Sequence, residues 1–181
     1  MECGSEVTEG SSEATFRVAP RFWVPHSESH NLATWRVDDH MNSALAAAAH
    51  STDPLTQVGA VFVRGGVVLA SGTNRVSTRV QRDADRTSGA LKALYTEHAE
   101  RDAIFAAARE GISLEGSTCV CTLYPCADCA RGIIACGAVR LVTCPPDFDA
   151  PSKWREHWVQ ARQMLAEAGV DVEYHPPAPS R

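Results

Sequence analysis

From residue 97 to residue 174 the sequence alternates helix-forming and strand-forming segments, and this alternation constrains the fold more than any other feature. Residues 97–110 carry Ala99, Ala103, Ile104 and Ala107 at helical intervals and are stopped by Gly111. Residues 117–122 read as a strand, 126–136 as a helix stopped by Gly137, and 139–143 as a strand. Residues 152–168 form a helix with Trp154, Trp158, Ala161 and Leu165 on one stripe, ended by Gly169, and 170–174 are a last strand. Such a succession needs crossover connections and a sheet covered by helices. Upstream, residues 32–50 are alanine-rich, with Leu32, Trp35, Met41 and Leu45 spaced as on a helix. The runs 58–63 and 67–71 flank Gly65-Gly66 and read as an antiparallel hairpin. Residues 74–92 show no clean period and read as a loop with room for a helical turn. The expected class is α/β, a three-layer α/β/α sandwich on a mixed five-stranded sheet. A chain of 181 residues suits one domain and buries about 70% of its unfolded surface without disulfides. We place that domain at residues 30–175, between a polar tail (1–29, which Phe22 and Trp23 could dock in part) and a Pro-rich end (176–181).

Chemistry enters with His98-Ala99-Glu100 and Pro125-Cys126-Ala127-Asp128-Cys129. A catalytic zinc takes three protein ligands of the imidazole and thiolate type and leaves its fourth position for water. Cys126 and Cys129, three apart at the start of a helix, can face one point, where the helix dipole favours thiolates. His98 supplies the third ligand from the start of another helix. Glu100 is left over as a carboxylate beside the water, able to act as general acid and base while the activated water attacks the carbon that bears an exocyclic amine. One geometric requirement comes with this reading. Residues two apart on a regular helix point to different sides, so His98 and Glu100 can share a site only across the helix N-terminus. The pattern H-x-E followed by P-C-x-x-C is the ligand signature of zinc deaminases. His26-Ser27-Glu28 is a second H-x-E, but it lies in the polar tail with no predicted helix to hold it.

The stretches 96–111 (TEHAERDAIFAAAREG) and 123–142 (LYPCADCARGIIACGAVRLV), with 51–60 and 71–74, resemble the cytidine deaminase-like superfamily, and within it the deoxycytidylate (dCMP) deaminase group. The resemblance spans residues 32–174. It implies zinc on His98, Cys126 and Cys129, proton transfer by Glu100, and hydrolysis of dCMP to dUMP and ammonia in support of thymidylate synthesis. It also implies a sugar contact from Asn74, a backbone approach of Ala99 to the substrate ring, and a homo-oligomeric state. Asp102 departs from the asparagine that related deaminases often carry, which puts the contact made by that asparagine in doubt here. Tyr124, next to Pro125-Cys126, either lines the ring pocket or packs in the core.

Charge narrows the substrate class. The net charge is -5, from 17 Lys+Arg against 22 Asp+Glu, which argues against a grip on nucleic-acid polymers such as tRNA. The 74–98 segment is nonetheless locally basic, with Arg75, Arg79, Arg82, Arg86 and Lys92. It is longer than expected of tRNA adenosine deaminases. It either binds a 5′-phosphate or, with Asp83 and Asp85 interleaved, is a solvated loop. The expected partner is therefore a small nucleotide, with no membrane and no polymer. Modified dCMP, a free nucleoside or a tRNA adenosine are the alternative substrates, and a non-catalytic zinc or nucleotide-binding domain is the alternative function. The first 15 residues have neither a basic start nor an apolar stretch, so the expected compartment is the cytoplasm. The odd total of seven cysteines excludes complete internal disulfide pairing. Cys119, Cys121, Cys136 and Cys144 read as packing residues and Cys3 as a tail thiol. His40, His50 and His157 read as surface or packing residues, and Trp154 and Trp158 as core or a subunit contact.

Overall fold

The computed structural model describes residues 36–176. The tails, with Cys3, Phe22, Trp23, the His26-Ser27-Glu28 repeat of the motif and the first residues of the expected 32–50 helix, lie outside the described residues. The five-stranded sheet is built from β1 (Gly59–Arg64), β2 (Val67–Thr73), β5 (Thr118–Cys121), β6 (Arg140–Thr143) and β7 (Asp171–Tyr174), in the order β2-β1-β5-β6-β7. β1 runs antiparallel to β2 and to β5, whereas β5–β6 and β6–β7 are parallel, as the two kinds of connection require. Gly65 and Gly66 make the hairpin turn with φ of 58° and 79°, a conformation that L side chains resist.

Side chains alternate across the sheet and divide the core. Val61, Val63, Val120 and Val142 meet Met41 and Ala44 of α1 (Val37–Ala48) on one face. Ala60, Phe62, Cys119, Cys121 and Leu141 point to the other face. There they meet residues of α4 (Ala99–Glu110), α5 (Ala127–Ala135) and α6 (Arg155–Glu167). The mixed five-stranded, three-layer α/β/α architecture is thus as expected from the sequence. Backbones approach closely where the helices cross the hairpin. A Cβ at Gly72 would lie 2.3 Å from Ala103 N and 2.4 Å from Ala99 O, so glycine there sets how deeply the start of α4 sinks onto β2. No helix among the described residues is long and apolar enough to cross a membrane.

The segment read as a loop with room for a helical turn over 74–92 is more ordered than that, and its structure continues to residue 97. It contains the pair β3 (Arg75–Val76) and β4 (Thr96–Glu97), with the short helices α2 (Ala84–Thr87) and α3 (Lys92–Tyr95) between them. Long-range contacts hold it in place. Lys92 pairs with the buried Asp53, and Val76 N–H donates to Thr52 Oγ1 at 3.0 Å. Burial alone would raise the Asp53 pKa, but Lys92 and the backbone N–H groups of Leu55 and Thr56 outweigh it and hold the carboxyl below its usual value.

Candidate active site

Three ligand-type atoms converge where α4 and α5 begin. His98 Nδ1 lies 3.5 Å from Cys126 Sγ and 3.5 Å from Cys129 Sγ, and the three atoms lie within 4.8 Å of one another. Zinc bonds of about 2.3 Å to sulfur and about 2.0–2.1 Å to nitrogen in a tetrahedron separate S and N by roughly 3.5–3.6 Å. The donor set and its spacing therefore fit zinc. Among the described residues no other group of three or more His, Cys, Asp or Glu side chains is so arranged.

Local structure explains the convergence. His98 and Cys126 are the residues that precede the first turns of α4 and α5, and both are extended (φ -81°, ψ 153° and φ -74°, ψ 173°). The geometric requirement on the H-x-E motif is met in this way. His98 is not on the helix, so its side chain is free of helical spacing, and Glu100 in the first turn can face the same point. The two helices pack closely at Gly132, where a Cβ would lie 3.2 Å from Ile104 Cδ1. With both N-termini at the site, their N–H groups and dipoles favour anionic ligands. Cys126 is pulled down to about 4 by the Cys129 thiol that hydrogen bonds to it and by His98. Cys129 is pushed up by the Cys126 sulfur and by burial, and His98 is raised by the same sulfur.

Glu100 is buried, with 4% of its surface exposed. Its carboxyl lies against the thiols of Cys129 and Cys121. Burial raises its pKa, opposed by its own backbone N–H and by His98. A carboxyl raised in this way holds a proton more readily than an exposed one, as a group that both accepts and gives up protons requires. A cavity of about 320 Å³, lined by Ser77, Tyr95, Glu97, His98, Arg101 and Asp128 among others, opens beside the histidine.

The remaining expected site residues have varied surroundings. Ala99 is fully buried under Gly72. Asn74 spends most of its amide on the protein. Its Oδ1 accepts from Ser51 Oγ at 2.7 Å and Val58 N at 2.8 Å, and its Nδ2 donates to Thr56 O at 2.7 Å. One Nδ2 hydrogen is left over. Tyr124 is buried between the rings of Phe148 (centroids 5.8 Å) and Tyr174 (6.2 Å). Asp102 accepts from Thr73 N–H at 3.1 Å and takes Arg75 in a forked pair, Nε to Oδ2 at 2.9 Å and Nη2 to Oδ1 at 2.8 Å. The charge that distinguishes it from asparagine is thus matched by Arg75, whose pKa it raises. Arg86 is paired with Asp83 at 3.2 Å and lies over the Tyr95 ring. Of the basic cluster, the side chains of Arg79 and Arg82 are left without an ion-pair partner among the described residues. Sequence reasoning missed Trp154, read as core or a subunit contact. Its ring meets that of His98 at 5.9 Å. No local signal separates it from Trp158, on the same stripe.

Residues 36–144 match the family model described as cytidine and deoxycytidylate deaminase zinc-binding region. The chain is 38% identical over 127 residues to a protein of Aliivibrio fischeri named as an uncharacterized deaminase in the luxG 3′ region, covering 70% of this chain and 84% of that one. It is 31% identical over 164 residues to a probable deoxycytidylate deaminase of Drosophila melanogaster, covering 83% and 78%. The fold is similar to that of the dCMP deaminase from cyanophage S-TIM5, solved in complex with dCMP and dUMP. The TM-score is 0.63 at 24% identity, over 76% of this chain and 95% of that one.

Proposed function

The chain belongs to the family of cytidine and deoxycytidylate deaminase zinc-binding domains, which are zinc-dependent hydrolases, and from that premise we propose that it converts dCMP and water to dUMP and ammonia. The observation that carries this reading is a three-donor site with a buried carboxylate beside it that is not needed as a ligand. A structural zinc would be closed by a fourth protein ligand, so the arrangement favours catalysis over a purely structural or binding role.

His98, Cys126 and Cys129 would hold a zinc ion, whose Lewis acidity would make a water nucleophilic at neutral pH. Glu100 takes a proton from the attacking water and delivers it to N3 of the cytosine ring. It then passes the second water proton to the departing 4-amino group, which leaves as ammonia while the water oxygen stays on C4. Ala99 brings backbone close to the ring, Asn74 uses its remaining N–H toward the sugar, and Tyr124 lines the ring pocket. The reading includes a homo-oligomer, supported by the exposed apolar side chains of Leu94 and Phe105. It also includes a cytoplasmic location, supported by the free state of all six cysteines among the described residues.

The 5′-phosphate is assigned to Arg79 and Arg82. Arg75, Arg86 and Lys92 already neutralise Asp102, Asp83 and Asp53, whereas Arg79 and Arg82 have charge to offer. The test is a substrate comparison on the zinc-loaded chain. We expect kcat/KM for dCMP to exceed that for deoxycytidine by at least tenfold, about 1.4 kcal/mol of transition-state binding. Replacing both arginines by alanine should narrow this ratio. Equal turnover of dCMP, deoxycytidine and cytidine would defeat the mononucleotide reading, and turnover of a tRNA adenosine alone would replace it.

A further inference from the structure

We infer that Trp154 is a positioning residue for the metal centre, holding the His98 imidazole in its ligating orientation by a ring contact. A metal-binding histidine almost always donates its second ring N–H to a carboxylate, a carbonyl or a water, and that partner fixes the ring. Here Nδ1 faces both thiols. Among the described residues Nε2 has no hydrogen-bond acceptor. Instead the imidazole meets the Trp154 indole at a centroid distance of 5.9 Å and an interplanar angle of 68°. Edge-to-face geometry sets the positive rim of one ring against the negative face of the other.

The indole is itself held in place. Trp154 precedes the first turn of α6, where its N–H donates to Ser152 Oγ at 3.1 Å and its carbonyl accepts from Trp158 N at 2.9 Å. His157 packs on it at 5.6 Å, and Lys153 Nζ lies 5.4 Å from its ring. The connection from β6 to α6 is tied to the ligand-bearing frame through Phe148. The Phe148 carbonyl accepts from Arg155 Nε at 2.8 Å, and its ring lies between Arg162 (4.6 Å) and Tyr124 (5.8 Å). Tyr124 is two residues from Cys126. The indole and the thiolates are therefore registered to one another, with His98 between them.

The test compares full-length wild type, Trp154→Phe and Trp154→Ala, each loaded with zinc or with Co²⁺. Outer-shell partners of a ligand change metal affinity by roughly 10–100-fold. We expect Trp154→Ala to release zinc to a colorimetric chelator at least tenfold faster than wild type and to shift the visible Co²⁺ spectrum. Trp154→Phe, which keeps a ring, should stay within about threefold. Wild-type release and an unchanged Co²⁺ spectrum in Trp154→Ala would overturn the inference. A purely structural role would move the melting temperature of the metal-free protein instead of the Co²⁺ spectrum. If Trp154→Ala fails to fold, Trp154→Phe still decides. Co²⁺ should quench the tryptophan emission of the wild type, and the substitution should remove most of that quenching. Undiminished quenching would contradict the contact. Because no substrate is used, failure here is distinct from failure of the deaminase assignment.

Discussion

Glu100→Gln is expected to lower kcat by roughly a thousandfold, about 4 kcal/mol of barrier, while zinc content stays at that of the wild type. Both halves of this result follow from where the carboxyl lies. It is buried against Cys129 and Cys121, but it is not among the three atoms that converge on the ion position. The amide keeps the shape and loses the ability to carry protons between water, ring nitrogen and leaving amine. No loss of folding stability should accompany it, since a buried carboxylate is costly when charged and glutamine fills the same space. Ammonia release and metal analysis on the same sample check the prediction. Full activity in the variant would show that Glu100 is not the proton carrier.

Cys129→Ser should abolish zinc binding and remove the stabilisation that zinc confers. A ligand that binds the folded state alone adds about 4 kcal/mol at a thousand times its dissociation constant. For a domain of this size that is roughly 8–16 °C in melting temperature. Stripping zinc from the wild type with a chelator should therefore lower its melting temperature by about that much. The variant should melt near the stripped value and be insensitive to chelator. The reason is structural. Cys129 is fully buried in the first turn of α5, facing His98 and Cys126. A variant that keeps stoichiometric zinc and a chelator-sensitive melting curve would remove Cys129 from the ligand set.

The parts of this molecule legible in its sequence are those governed by local chemistry. The Gly-Gly turn, the alternation that begins with α4, and the spacing of Cys126 and Cys129 each follow from neighbours within a few residues. The candidate for the third ligand was legible because His98 carries Glu100 two residues later. The need for the two to meet across a helix N-terminus was legible as well, and His98 is the extended residue before α4. The 74–98 segment was opaque. Its β3–β4 pair and two short helices depend on partners far away in the chain, Asp102 for Arg75 and Asp53 for Lys92, and periodicity cannot report such contacts. Trp154 shows the same limit. Its place on a helical stripe with Trp158 suggested packing, but the residue stands at the helix start, where the connection from β6 delivers it to His98.

Replacement of the exocyclic amine of a cytosine nucleotide by oxygen from water leaves a mark on the product that can be read directly. The most direct test incubates the zinc-loaded full-length chain with dCMP in ¹⁸O-labelled water and analyses the nucleotide by mass spectrometry. The expected product is dUMP carrying one ¹⁸O at C4, with one ammonia released for each nucleotide converted. Unchanged dCMP with no ammonia, or a product without the label, would contradict it.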